Sequence, residues 1–281
     1  MASQTRAQAQ QNNPTALEKR QDQAGPGEWS QDKADVGAPN PPLFARGAIG
    51  VLLLADGRFP AGSYAHSHGL EEACRSGRVS DIDDVAAFAR GLLSTSVATA
   101  ASLAACANRL CGELASASGA QSRDPATRWA LLDTEASARM PSPAQRLTSR
   151  RLGRQLWRTA RGFPGWADKL SASHFAPGAE GAHQCIVAGV VAFAAAGAPR
   201  DAALLACYGT VSAVCHAGIR LLGLDPISST AVIQSLAGQL DQVADAASAI
   251  TEAADIPAGS APLGEHYAEA HVIREGALFA S

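Results

Sequence analysis

Aromatic side chains make up only 5% of this 281-residue sequence. Strands draw on aromatic and β-branched residues, whereas alanine, which dominates the 47% hydrophobic fraction here, has the highest helix propensity. No stretch of useful length alternates apolar with polar residues. The composition therefore predicts an all-α protein with enough apolar residues for a real core, as one large domain or two small ones. The common catalytic and nucleotide motifs are missing too. There is no G-x-x-x-x-G-K-[ST] loop to cradle phosphates, no HExxH and no G-x-S-x-G. No CxxC pair stands ready for zinc or redox work. The net charge of −3 lacks the basic excess of a nucleic-acid binder. The first residues, MASQTRAQAQ, have no apolar core of a secretory signal. The longest apolar run, Cys185 to Ala198, falls short of the roughly 20 residues that span a bilayer and reads as a buried core helix. These absences predict a cytoplasmic, soluble protein.

What is present is six cysteines, most of them among alanines and leucines, where a free thiol behaves as a small hydrophobe. Residues 1–42 are rich in Gln, Asn, Asp, Gly and Pro, and their scarcity of large apolar side chains predicts disorder. Folded chain is expected over 43–257, in a compact bundle-like arrangement of helices joined by short turns. Ser63 is expected to cap a helix to about Ser76, and Ser80 another through VAAFARGLL, with more helix to about Ala117. Further helices are expected over about 125–139, 144–160, 181–197 and 201–222. A last one, capped by Ser228 or Ser229, should run to about Ala254. Residues 258–281, which begin within the Pro- and Gly-rich loop DIPAGSAPLG, form a short tail whose apolar anchors Tyr267, Val272, Ile273, Leu278 and Phe279 predict a partner-docking element that orders on binding.

Two clusters invite a chemical reading. His66-x-His68 is the best metal candidate, yet residues two apart on a helix point about 200° apart, so one ion could not take both. His266 and His271 are spaced poorly for one helix face. The second cluster is arginine-rich. Arg146, Arg150, Arg154 and Arg158 recur every fourth residue and form a stripe on one face, either solvated and paired with acids or docking an acidic partner. Gly153 inside that helix predicts close approach of another helix, since glycine there costs about 1 kcal/mol against alanine.

The stretch FPAGSYAHSHGLE, Phe59 to Glu71, resembles the amino-terminal signature of the urease accessory protein UreF family. RLTSRRLGRQLWRTA, with Ser149, Gly153, Arg154 and Leu156, is similar to that family's central helix. HQCIVAGVVAFAAAGAPRDAALLACYGTVSAVCHAGIRLLGLDP resembles its next segment through His183, Gly189, Ala192, Leu204, Tyr208, Ala217, Arg220 and Leu221. The final LFAS is similar to the family's ending. The resemblance runs from about residue 47 to 281. Departures are Asp225-Pro226 in place of glycine-glutamine, Val272 after His271, and Ala277 where arginine is usual. The resemblance implies an all-α, homodimeric protein without catalysis, cofactor or metal of its own. It would bridge the UreD (also called UreH) protein and the GTPase UreG on the urease apoenzyme and couple GTP hydrolysis to nickel insertion. Candidate partner contacts are Tyr64, His66 and Glu71 in the signature, Arg150 and Arg154 on the stripe, and Tyr267, His271, Leu278 and Phe279 in the tail. Two other classes stay open: a nickel carrier using histidine and cysteine ligands, and a heme- or ligand-binding helical protein. The tail, too, has an alternative, in which its apolar side chains pack back on the chain's own core.

Overall fold

A computed structural model describes residues 48–62, 65–116, 124–274 and 276–279. The expectation for residues 1–42 lies outside the described residues. Among those described there are twelve α-helices and no strand. They are α1 (Ala48–Ala55), α2 (Leu70–Arg75), α3 (Ile82–Leu93), α4 (Ser96–Ala115), α5 (Pro125–Ala138) and α6 (Pro143–Arg161). After a 3₁₀ turn at Pro164–Trp166 come α7 (Ala167–Ala172), α8 (Gln184–Ala194), α9 (Pro199–Leu222), α10 (Pro226–Ser235) and α11 (Ala237–Ala249). A second 3₁₀ turn at Ala253–Asp255 precedes α12 (Pro262–Val272). The all-α expectation holds.

Local chemistry explains half of the twelve described helix starts. Proline occupies the first turn of α5, α6, α9, α10 and α12, where its missing N–H costs nothing. Asp81, Asp124, Ser142 and Asp225 accept first-turn amides of α3, α5, α6 and α10. Asp81 rather than Ser80 caps α3, because Asp84 reaches back to take the Ser80 amide at 2.9 Å and its hydroxyl at 3.0 Å. Likewise Asp225, not Ser228 or Ser229, starts α10, and the long helix expected there is kinked at Leu236 into α10 and α11. Gly223, in the left-handed region at φ 65°, ends α9.

The α4, α8 and α9 helices form the centre. On one side, α2, α3, α10 and α11 pack on α9 and the first half of α4 around Leu70, Leu93, Val211 and Val214. On the other, α5, α6, α7 and α8 enclose Leu103, Leu110, Trp129, Ile186 and Val190. Small residues let the central helices touch. A Cβ placed on Gly189 of α8 would collide with the Ala104 carbonyl of α4. A Cβ on Gly153 of α6 would collide with the Ala182 carbonyl, so the expected close approach is real but is made by the chain entering α8, not by a helix. Of the described helices, α9 is long and apolar enough to cross a membrane, an outcome the sequence reading of the run at 185–198 overlooked. It packs against α3, α4, α8, α10 and α11.

Candidate functional site

The signature begins as an anchored loop. Phe59 is buried against Phe163, their rings stacked at 5.7 Å, with Trp166 at 6.3 Å. The Pro60 carbonyl accepts from Gln155 Nε2 (3.1 Å) and Thr159 Oγ1 (2.9 Å), which fixes the loop to α6. Ser63 and the candidate Tyr64 lie outside the described residues. Over the described residues 65–69 the expected α-helix is not formed. His68 (φ 53°) and Gly69 (φ 88°) both take left-handed backbone, and α2 starts only at Leu70. A Cβ at Gly69 would press on Tyr267, so glycine answers both the dihedral and the packing. The helical geometry invoked against a shared ion on His66 and His68 is therefore absent. Among the described residues, even so, no group of three or more His, Cys, Asp or Glu is placed to hold a metal. Burial, then the charge of His66, pushes His68 down to about 4, and burial, then His271, lowers His66.

Two glutamates of α2 receive the carboxyl-terminal segment. Glu71 is buried, with its amide on Ser67 Oγ (3.4 Å). Its carboxylate accepts the backbone amides of Leu278 (2.8 Å) and Phe279 (3.0 Å) and the Arg75 guanidinium (3.1 Å). Burial alone would raise its pKa, but the two amides and Arg75 outweigh that and hold it below the usual value. Glu72 Oε2 accepts from Arg274 Nη2, while its Oε1 lies against Arg274 Nε without an aligned hydrogen bond and 3.9 Å from His271 Nδ1. The other His271 nitrogen, Nε2, stands 3.1 Å from the Phe279 carbonyl. A carbonyl only accepts, so Nε2 carries the proton. The Phe279 ring sits under Arg220, 4.6 Å from its guanidinium carbon.

The tail is thus not a free element. Its residues Pro262–Val272 form α12, a helix absent from the sequence expectation. Tyr267 and Phe279 join the core cluster of Val211 and Val214, and His271 is buried with them. This is the alternative in which the side chains pack on the chain's own core. Leu278 differs, at 50% exposed, as do Val272 at 66% and Ile273 at 86%. From α12, Glu269 reaches the first turn of α6, accepting from the Ser142 hydroxyl and the Ala144 amide. Between α6, α12 and the signature lies a cavity of about 540 Å³, with His66, His68, His271, Ser149, Arg151 and Cys185 on its walls.

The arginine stripe is spent mainly on the chain itself. Arg150 pairs with Asp133 (2.7 Å) and donates to the Gly181 carbonyl, Arg154 donates to the Glu180 carbonyl, and Arg146 to those of Met140 (2.6 Å) and Pro141 (2.8 Å). Behind Arg150 lies His183, fully buried. Its Nε2 meets Ser137 Oγ at 2.9 Å and its Nδ1 meets Ser149 Oγ at 3.1 Å, while Ser149 also takes the Gln184 amide. The Ser149–His183 pair has the spacing of a nucleophile and its base. Burial and then Arg150, however, push His183 down to about 4, a poor base at neutral pH, and the group on its far nitrogen is a hydroxyl, not a carboxylate. The arrangement is a polar junction tying α5, α6 and α8 together. Five of the six cysteines are buried, and burial raises Cys111, Cys185 and Cys207 to about 12.

Comparison with known proteins bears on this geometry. The family model described as UreF matches residues 79–237. The urease accessory protein UreF of Mycolicibacterium vanbaalenii is 38% identical over 234 residues, covering 82% of this chain and 97% of the relative.

The chain belongs to the UreF family.

The UreF proteins of Mycobacterium tuberculosis (36% over 234 residues) and Mycobacterium marinum (37% over 233 residues) align over the same shares. Of the residues nominated from the sequence, this UreF structure brings together His66, Glu71, Tyr267, His271, Leu278 and Phe279 around the cavity and the α2–tail contact. It leaves Arg150 and Arg154 on α6, bonded to the chain that leads into α8. Sequence reasoning missed Glu72, Arg75, Arg220, Arg274 and Glu269 as members. The one local signal was Glu71-x-x-x-Arg75, an acid and a base one helical turn apart.

Proposed function

We propose that this UreF chain is a non-catalytic, cytoplasmic scaffold of urease maturation. As a homodimer it joins UreD (UreH) and the GTPase UreG on the urease apoenzyme, and it couples GTP hydrolysis to nickel insertion. Family membership over most of the chain supports the pathway. The observation that carries the scaffold reading is the pairing of anchored and exposed groups at the carboxyl end. Tyr267 and Phe279 fix the segment, and Val272, Ile273 and Leu278 stand out beside it as an apolar contact. Fixed exposed apolar side chains bind with little ordering cost. The dimer reading draws on α1, where Ile49, Leu52 and Leu53 recur at helical spacing on the exposed side.

The test is co-purification. Ile273→Glu with Leu278→Glu should abolish capture of UreD with an unchanged thermal melt, because both side chains already face water. Leu52→Asp should give a monomer by light scattering while leaving UreD binding in place. Full UreD capture by the double variant sinks the contact. A nickel titration of the same preparations addresses the carrier reading, for which a stoichiometric site removed with His66 and His68 would be needed.

A further inference from the structure

The α6 helix carries six arginines and no acid in 19 residues, within a chain of 26 acids and 23 bases. Arg146 and Arg150 are part-buried and bonded to backbone carbonyls and Asp133. The solvent face is a different row from the one at four-residue spacing. It runs through Leu147, Arg151, Arg154, Arg158 and Arg161, all exposed, at the i, i+4, i+7, i+11 and i+14 positions of one helix face. No ion pair among the described residues includes any of these four arginines. Arg154 donates to the Glu180 carbonyl and Arg158 to the Gln155 side chain, and neither acceptor carries charge. Like charges three and four residues apart destabilise a helix. A solvated face relieves this with interspersed acids, and α6 has none. The helix dipole favours Arg158 and Arg161 in the last turn but does little for Arg151 and Arg154, further in.

We propose that this outer row of α6 is a docking strip for an acidic helix of a partner protein, whose Asp or Glu side chains recur at i, i+3, i+7 and i+10. From Arg151 to Arg161 the row is about 15 Å long, at a rise of about 1.5 Å per residue. A second helix laid alongside repeats on the same rise, so one row of carboxylates meets the four guanidiniums in register. Each guanidinium fork takes a carboxylate through two parallel bonds, which an ammonium cannot do. Leu152 and Leu156, buried on the opposite side, hold the strip in place, so little order is lost on docking. Leu147, 51% exposed, adds an apolar contact at one end. A long polyanion fits less well, because the chain as a whole is negative and the attraction is confined to about three helical turns. A lipid surface would need apolar side chains along the row, and Leu147 is the only one there. The inference stands on α6 and its charge, and not on the urease-maturation reading.

The experiment titrates the full chain into two labelled helical peptides of identical composition and reads fluorescence anisotropy at low salt. One peptide carries four glutamates at i, i+3, i+7 and i+10, and the other spreads the same residues around the helix. The row peptide should bind at least about tenfold tighter than its isomer, and added salt should erase the difference. Arg151→Glu with Arg158→Glu should weaken row-peptide binding by about tenfold or more, with an unchanged thermal melt, since both side chains face solvent without an acid partner. The same double variant should gain affinity for a row peptide with lysine at the two matching positions, a swap that general unfolding cannot produce. An oligouridylate and phosphatidylglycerol vesicles are titrated beside the peptides. Equal affinity for the two peptides, parent-like binding by the double variant, or tighter binding of the oligonucleotide or the vesicles would each overturn the proposal.

Discussion

His183 is where acid should act on this molecule. Its neutral ring is enclosed by Ser137, Ser149 and Arg150, and a proton on it would be buried beside a guanidinium. The group titrates near 6.5 when unfolded and near 4 when folded. A depressed folded value means that the unfolded chain binds the proton first. Stability is therefore complete above pH 6.5 and is lost as pH falls toward 4, by on the order of 3 kcal/mol. His68, also about 4 in the fold, acts in the same direction. Urea melts at pH 7.5, 6 and 4.5 should show this decline, and a His183→Gln variant should flatten it. A parent curve level from 7.5 to 4.5 contradicts the assignment. Neither the burial of His183 nor its two serine partners was legible in the sequence, where it stood only as one matching position of a family pattern. Glu71 was legible as a candidate contact in the signature. The amides that it holds lie some two hundred positions along the chain, and no local pattern encodes such a partner.

At the scale of elements, the legible helices were those that declare themselves chemically. Proline in the first turn marked α5, α6, α9 and α10, joined by an Asp or Ser cap in α5, α6 and α10. The α2 start was misread because Ser63 looked like a cap, while the left-handed pair His68–Gly69 that sets the real start has no sequence signature beyond its glycine. The α12 helix was missed because Pro262 sits in a run of prolines and glycines that reads as loop. Glycines show the same limit, since a helical glycine gives no clue to its neighbour. Gly189 and Gly209 are both helical, yet only the first touches another backbone. Gly189→Ala should drive α4 and α8 apart, costing about 1–3 kcal/mol or more. Gly209→Ala meets nothing and should stabilise by about 0.5–1 kcal/mol. Opposite shifts in melting temperature check the pair. Arg150→Ala strands Asp133 and the Gly181 carbonyl and should cost about 1–3 kcal/mol. Arg158→Ala, which loses only a bond to Gln155 at the surface, should cost close to nothing.

At the scale of the whole molecule, the two halves of the core share one helix. One face of α4 brings Val97, Ala101 and Ala105, each four residues apart, to the cluster around α9, and another brings Leu103, Ala107 and Leu110 to the cluster around α8. Neither half can lose its packing without exposing one side of α4, so the described fold should melt as one unit. The probes to test this are already in place. Trp129, Trp157 and Trp166 belong to the α8 side, so with Trp29, the fourth tryptophan, replaced by phenylalanine, fluorescence reports that half, whereas far-UV circular dichroism reports helices from both. Val214→Ala removes two methyl groups from the α9 side, and Ile186→Ala hollows the α8 side by about 2–5 kcal/mol. Coupling through α4 requires each substitution to shift both transitions together, although Val214 lies in the cluster without the tryptophans. If Val214→Ala lowers the circular dichroism midpoint and leaves the tryptophan midpoint in place, the halves unfold separately, and α4 is a spine between two modules and not the shared wall of one core.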